Sequence, residues 1–495
     1  MSKQDKKELR QQIACEWLEE NYLQFGNLRH DVVTDRLQIK AYKPTPNPSL
    51  KGREECDGLL AIGDRQELWR NLTDKDINTM VCQCVTEKGV NISTNEMWTA
   101  LKSDMVPAVH PLRAWLDGLR PYTADQPDWI DFVASQVRVR ESATDRCEAP
   151  VDRHFVAVDG RSAAPVVFHN ESTASNASEL QCSASETNYS EANYSEPRER
   201  SEADRLWRVC FKKWFVAMVA SWMRDEVVNH QVLVLIGRQG IYKTTWLEHL
   251  IPPHLRAYTC KLANSTDLNK DERMRIAEFG LISLDEIDSM NNRELNQLKS
   301  IITATDINER AAYAYTKERR IRLASFCASG NRRDFLTDIT GNRRWLPFEV
   351  ESILNPFHTI LPYEQLYAQA WALAQDPLFS YWFDLDEIEV LEEHNQHFRD
   401  ESNEEQLLPI LFDVPAEGKG EFMTTAQISE RLVTYGNIKK PMALGRLGVL
   451  MGSMGYRSVT RGNRQARLRG WIVYQRDTEE IAANKKLLAK ECVTV

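Results

Sequence analysis

Lys243 and Thr244 close a run, Gly237-Arg-Gln-Gly240-Ile241-Tyr242-Lys243-Thr244-Thr245, whose residue types suit a phosphate group. Two glycines free the backbone to turn its N–H groups inward, the lysine supplies a cation for β/γ oxygens, and the Thr244 hydroxyl suits Mg²⁺. Gly237, Gly240, Ile241, Tyr242, Lys243, Thr244 and Thr245 are therefore the expected cofactor-binding set, with ATP and Mg²⁺ as cofactors and Thr244 as a metal ligand. One position departs from the pattern G-x-x-x-x-G-K-[ST]: Tyr242 stands where the last glycine belongs. A Cβ there narrows the φ/ψ choices, so cradling falls to Gly237 and Gly240. The elements that must position this run are legible on both sides. Val232-Leu-Val-Leu-Ile236 reads as a strand buried on both faces, and Lys243 to Leu250 as a helix stopped by Pro252-Pro253. A chance Lys-Thr after a buried strand is the plain alternative, and the strand–loop–helix context weighs against it.

The following residues narrow the chemistry. Phe279-Gly-Leu-Ile-Ser-Leu-Asp285-Glu286 is a second apolar strand that ends in adjacent carboxylates, 42 residues beyond Lys243. Asp285 is expected to hold Mg²⁺ through water, and Glu286 to orient and polarise the attacking water. A third strand, Arg322 to Gly330, ends at Asn331, a residue suited to placing that water; taken alone, Gly-Asn is a turn former. Arg343 and Arg344 then sit in a polar turn, Asp338-Ile-Thr-Gly-Asn-Arg-Arg344, suited to reaching the γ-phosphate of a neighbouring subunit or to binding carboxylates on the surface.

The residues Asn308-Glu-Arg310-Ala-Ala-Tyr313, Ala328-Ser-Gly-Asn331, Phe335-Leu-Thr-Asp338 and Thr340-Gly-Asn-Arg343-Arg344-Trp345 resemble the virulence-associated protein E family. That family stands with the poxvirus-type primase-helicases and superfamily 3 helicases. The resemblance is specific over 205–350 and weaker over 95–140. It implies an AAA+-like ATPase core, a homo-oligomer that is usually a hexameric ring, and a source in phages or mobile elements. It also gives catalytic roles to Lys243, Asp285, Glu286, Asn331 and one of Arg343 or Arg344. In superfamily 3 relatives a hairpin like 306–323 lies in the ring channel on single-stranded DNA. Here it carries Arg310, Lys317, Arg319, Arg320 and Arg322 with Tyr313 and Tyr315, a mixture suited to phosphates and bases. The same charges also suit pairing with Glu309 and Glu318.

Composition sets the wider frame. The chain has 495 residues, 27% charged and 42% hydrophobic, with a formal net charge of −10, which fits a multidomain globular protein and not a nucleic-acid coat protein. The charged N-terminus lacks a signal peptide's apolar run, and Phe215 to Trp222 is too short to span a bilayer, so no membrane partner is expected. Ten scattered cysteines, with Cys82 and Cys84 the closest pair, read as reduced cytoplasmic thiols.

The expected organisation is α/β: a helical-rich N-terminal region (1–141), a flexible polar linker or insertion (142–204), the ATPase core (205–350), an acidic helical connector (351–414), a basic winged-helix-like unit (415–480) and a tail (481–495). Within the first, His110 is expected to cap or pack; in the connector, Asp384 and Asp386 read as a solvated helix start. Glu421 to Arg476 holds ten Lys/Arg against two Glu, a net +8. Its pattern is helix (Thr424–Tyr435), helix (Pro441–Met454) and two strands around Thr460 to Arg464, the pattern of a helix-turn-helix with a wing. Lys440 and Arg446 on the outer face of the second helix, with Arg457, Arg461 and Arg464, are the expected contacts to duplex DNA. Gly445, Gly448 and Gly452 are expected to pack closely against another helix. Docking to an acidic partner, or to 384–405 of this chain, is the rival use of the unit.

Overall fold

The computed structural model describes residues 3–41, 68–140, 201–262, 270–309, 318–336, 342–415, 420–463, 466–482 and 484. The expected linker, except for 201–204, lies outside these residues, as do Arg310, Lys317 and Arg464.

The N-terminal region combines helices with a sheet. It contains α1 (Lys3–Leu18), β1 (Leu28–Asp31), β2 (Arg36–Ala41), β3 (Leu68–Asn71), α2 (Asp74–Lys88), α3 (Thr94–Leu101) and β4 (Ala108–Val109), with strand order β3-β2-β1-β4. Thr73 and Ser93 start α2 and α3 through reciprocal capping boxes with Asp76 and Glu96. Trp17, Leu28, Met80, Met97 and Leu101 close its own core. The buried Asp31 carboxylate joins this unit to the next, accepting from Val33 N, Gln38 Nε2 and, at 2.9 Å, the Tyr258 hydroxyl.

The central layer is built from α4 (Pro111–Asp117), α5 (Trp129–Ala134), β5 (Val137–Val139), α6 (Glu202–Met223), β6 (Val232–Ile236), α7 (Lys243–His249), β7 (Thr259–Leu262), α8 (Lys270–Glu278), β8 (Leu281–Leu284), α9 (Asn292–Thr303), β9 (Asp306–Glu309), β10 (Glu318–Ile321), β11 (Ser325–Gly330), β12 (Trp345–Ile353), α10 (Tyr363–Gln375) and α11 (Leu385–Gln396). Its six-stranded sheet runs β5-β12-β6-β11-β8-β7, parallel except for the edge strand β5. Every residue of β6 is buried because both faces are covered. Leu233 and Leu235 join the core with α6, α7 and α10; Val232, Val234 and Ile236 join the one with α9.

Helix α6 is apolar nearly all round, as a helix inside a large core must be. Its indoles each donate to a buried carbonyl: Trp207 to Ala134, Trp214 to Phe326 and Trp222 to Gly280. Truncating any one of them to alanine removes roughly 3–5 kcal/mol of packing. The same core takes Leu112 and Leu116 of α4, Ile130 and Val133 of α5, and Leu366, Tyr367 and Ala370 of α10. Packing therefore carries the central layer beyond 205–350, into the segments read as N-terminal region and connector. Asp384 caps α11 through a capping box with Glu387, and His110 caps α4, its Nδ1 accepting from Arg113 N at 3.3 Å.

The C-terminal unit comprises α12 (Asn403–Leu411), β13 (Phe412–Asp413), β14 (Glu421–Thr424), α13 (Thr425–Gly436), α14 (Leu444–Ser453), β15 (Arg457–Asn463) and β16 (Ala466–Gln475), and β16 pairs with all three other strands. Leu408 and Leu411 of α12 enter its core, and Glu404 accepts from Met442 N at 2.7 Å. Part of the acidic connector is thus built into the basic unit. Among the described residues no helix is long and apolar enough to cross a membrane.

Candidate functional site

The run 237–242 leaves the carboxyl edge of the sheet between two neighbouring strands. Gly237 N donates to Gly330 O at 3.1 Å on the β11 side. On the β12 side a methyl added to Gly237 would stand 2.7 Å from Val350 O, so the residue must lack a Cβ. Tyr242, the residue in the glycine's place, adopts the left-handed conformation at φ 69° and leads directly into α7. Its carbonyl accepts from Trp246 N at 2.7 Å, the first bond of that helix.

Period-two alternation puts Ser329 and Asn331 of the β11 exit, and Asp285 of the β8 exit, on the sheet face that carries α7. Thr244 Oγ1 lies 3.2 Å from Asp285 Oδ1 and 3.0 Å from Ser329 Oγ, which itself donates to the same Asp285 oxygen at 2.6 Å. Lys243 Nζ donates to Gly237 O and Arg238 O, both at 2.7 Å, and lies 3.3 Å from Asn331 Oδ1. Burial pulls the Lys243 ammonium below the usual amine range, and the Asp288 and Asp285 charges partly offset that. Lys243, Thr244, Asp285 and Asn331 are thus gathered in one place. Ser329 was missed by sequence reading, although its position two residues before Asn331 on one strand is a signal for it. Asp288 was also missed: its carboxylate accepts from Asn331 N and Arg332 N, each at 3.2 Å, and fixes the β11 exit.

Other expected residues stand apart. Glu286 is exposed, at a left-handed φ of 55°, and its carboxylate meets no partner among the described residues. Arg343 and Arg344 precede β12, whose first residue Trp345 pairs with Val232, the first residue of β6. The loop begins at the far end of that strand, so about 13 Å of sheet separates these arginines from their own chain's loop.

The described cations of the hairpin have partners within the chain, the pairing that was the alternative to DNA contact. Arg319 pairs with Asp306 at 2.7 Å, and Arg320 with Asp35 at 3.0 Å and Glu278 at 3.7 Å. Arg322 is 1% exposed and donates to the carbonyls of Ala324, Ile302 and Asn229; burial without a carboxylate brings it down to about 9. It is a structural cation.

In the C-terminal unit, α14 begins at Leu444, so Lys440 lies in the turn before it and not on its face. Arg446 is exposed on α14. Gly448 and Gly452 do not face another helix: a methyl on either would lie 3.7 or 3.9 Å from the Trp471 ring of β16, and Gly445 opens to space.

A mostly parallel sheet buried on both faces, with a glycine-bearing loop, lysine, threonine and a strand-end aspartate gathered at its carboxyl edge, defines a mixed α/β protein. The family model of the virulence-associated protein E-like domain matches residues 198–400. That span reaches beyond 350 and takes in α10 and α11. Two solved apo structures of the C-terminal region of NrS-1 are similar to the chain at low levels. The first, residues 305–718, has 10% identity, covers 91% of this chain and 97% of that one, and has a TM-score of 0.36. The second, an A form, has 9% identity, covers 92% and 99%, and has a TM-score of 0.38. No curated protein matches the chain.

Proposed function

We propose that the chain is an ATP-hydrolysing, DNA-associated motor of a phage or mobile element, a helicase or replication-initiation ATPase. The observation that carries this reading is the cluster Lys243, Thr244, Ser329, Asp285 and Asn331 at the carboxyl edge, beside a loop turned by Gly237 and Gly240. The donor set fits a magnesium nucleotide. Lys243 spends its protons on two carbonyls of its own loop, bonds that phosphate oxygens would replace, and a hydroxyl and a carboxylate stand together where a divalent ion takes oxygen ligands. Mg²⁺, when bound, neutralises charge on the β/γ-phosphates. Thr244 and Asp285 would hold it, Lys243 would pair the phosphates, Asn331 would position the attacking water and Glu286 would polarise that water.

The separation of Arg343 and Arg344 from their own loop supports a ring in which they serve the neighbouring subunit's nucleotide. The C-terminal helix pair and four-stranded sheet support a winged helix on duplex DNA, with α14 toward the groove. DNA-stimulated ATPase assays test the reading: wild type should turn over ATP faster with DNA, and Glu286→Gln should bind ATP without hydrolysing it. Turnover by Glu286→Gln at the wild-type rate removes that role. The left-handed Tyr242 favours a second reading, a nucleotide-gated DNA-binding regulator with slow hydrolysis, for which DNA leaves turnover unchanged.

A further inference from the structure

Strand parity divides the arginines of the C-terminal sheet into two sets. Residues directly opposite in an antiparallel pair share a face, and alternate residues share it too. Thr460 faces Arg469 and Gly462 faces Arg467, in the same set as Ser458 and Trp471. Trp471 packs beneath Gly448 and Gly452, so Arg467 and Arg469 stand on the side of α14. Arg457, opposite Ile472, and Arg461, opposite Leu468, stand on the other side. Phe422, also opposite Ile472, joins them there. Arg457 and Arg461, two of the arginines expected to work with the helix, therefore lie on the opposite face of the sheet from it.

The outer face has a character of its own. A methyl on Gly470 would meet the Phe422 ring at 2.6 Å, so the ring lies over the glycine backbone. The Arg461 guanidinium sits 4.7 Å from the centroid of that ring. Arg457 and Arg461 are exposed, neither meets a carboxylate among the described residues, and Leu468 beside them is 54% exposed. Acids on this face stand at the Tyr474 end, where Asp413 pairs with Arg476 at 3.0 Å and Glu480 accepts from the Tyr474 hydroxyl at 3.1 Å.

We propose that the outer face of the C-terminal sheet, with Arg461 backed by Phe422 and Arg457 four residues along the same strand, binds single-stranded nucleic acid. Two exposed guanidiniums alone would serve an acidic peptide equally well. The exposed guanidinium 4.7 Å from an aromatic ring is what favours a base, since arginine and aromatic side chains together are the groups on which unpaired bases stack. Stacking of that kind needs an unpaired base, since a duplex keeps its base planes inside. Arg457 and Arg461 are about 13 Å apart along an extended strand, far enough to reach different phosphates of one strand. The proposal rests on the DNA-associated reading of this unit but uses the opposite face from α14. Duplex and single strand would then lie on opposite sides of one thin sheet.

The test uses the full chain, with fluorescence anisotropy of a labelled thymidine oligonucleotide and of a labelled duplex at several salt concentrations. Arg457→Ala/Arg461→Ala should weaken single-strand binding at least about fivefold and lower its log–log salt slope by about 1.4, while duplex affinity holds. Phe422→Leu, which keeps apolar cover over Gly470, should weaken single-strand binding without changing the slope. Arg467→Ala/Arg469→Ala should spare the single strand and weaken the duplex. Single-strand binding unchanged in Arg457→Ala/Arg461→Ala, with wild type binding normally, overturns the outer-face assignment alone. An equal loss of both ligands in that variant overturns it as well. Wild type binding neither ligand overturns the DNA-associated reading and this proposal together.

Discussion

Tyr242 occupies a glycine's place, and its backbone allows a quantitative test. At φ 69° a residue with a Cβ meets the steric conflict of the left-handed region, which costs roughly 1–2 kcal/mol. Glycine avoids that conflict but gives up about 0.5–1 kcal/mol of chain entropy on folding. Tyr242→Gly and Tyr242→Ala both remove the same ring, 39% exposed, so their difference isolates the backbone. In an ordinary helical position alanine is the more stable by about 1 kcal/mol. Here the order should reverse, with glycine ahead by up to about 1.5 kcal/mol, from the steric and entropic terms together. Thermal denaturation of the pair should show the glycine variant melting up to a few degrees higher, at about 2–4 °C per kcal/mol. ATP turnover by Tyr242→Gly should equal or exceed wild type, because the loop regains the freedom that phosphate cradling uses. An alanine variant more stable than the glycine one by about 1 kcal/mol, the ordinary helical order, would refute the left-handed assignment and the argument built on it.

Further outcomes follow from other contacts. Ser329→Ala removes a hydroxyl donating to Asp285 at 2.6 Å; at about 1.5–3 kcal/mol for a charged bond it should lower magnesium-dependent turnover roughly 10- to 100-fold, and unchanged turnover would remove Ser329 from the site. Arg322→Leu leaves the carbonyls of Asn229, Ile302 and Ala324 without this donor, a loss of at least about 3 kcal/mol, whereas Arg319→Ala at the exposed hairpin base should cost under about 1 kcal/mol by thermal melting. Burial, with Arg113 beside it and Asp31 and Asp225 opposing, pushes His110 down to about 4, below its unfolded value. The unfolded chain then binds more protons between the two values, so stability falls as pH drops through about 6.5 toward 4, by about 1 kcal/mol at pH 5.5. His110→Asn, which keeps a capping acceptor, should flatten that pH dependence in melts at pH 7.5 and 5.5. Mixing Lys243→Ala with Arg343→Ala/Arg344→Ala, each inactive alone, should restore part of the turnover at mixed interfaces; no recovery argues against shared sites.

The parts legible in the sequence were those that local pattern dictates. Val232–Ile236 is a uniform apolar run closed by glycine, Leu281–Leu284 is one broken only by Ser283 and closed by carboxylates, and each appears as a buried strand. The remainder depends on contacts between distant residues. Arg322 reads as one of five hairpin cations until its guanidinium is seen among carbonyls from residues 229, 302 and 324. Residues 137–139 join the central sheet only because β12 offers them an edge, and no periodicity in three residues announces that. In the wing, period two was available from the start, but which parity faces α14 is decided by Trp471 packing under two glycines.

The most direct measurement of the central claim is equilibrium binding of a fluorescent ATP analogue, with and without Mg²⁺, to wild type and to Lys243→Ala. The cluster of Lys243, Thr244 and Asp285 requires wild type to bind, more tightly with Mg²⁺. The variant should lose at least about tenfold, since charge-assisted bonds contribute roughly 1.5–3 kcal/mol. Equal affinity of wild type and Lys243→Ala, or binding indifferent to Mg²⁺, would contradict the assignment of this edge as the nucleotide site.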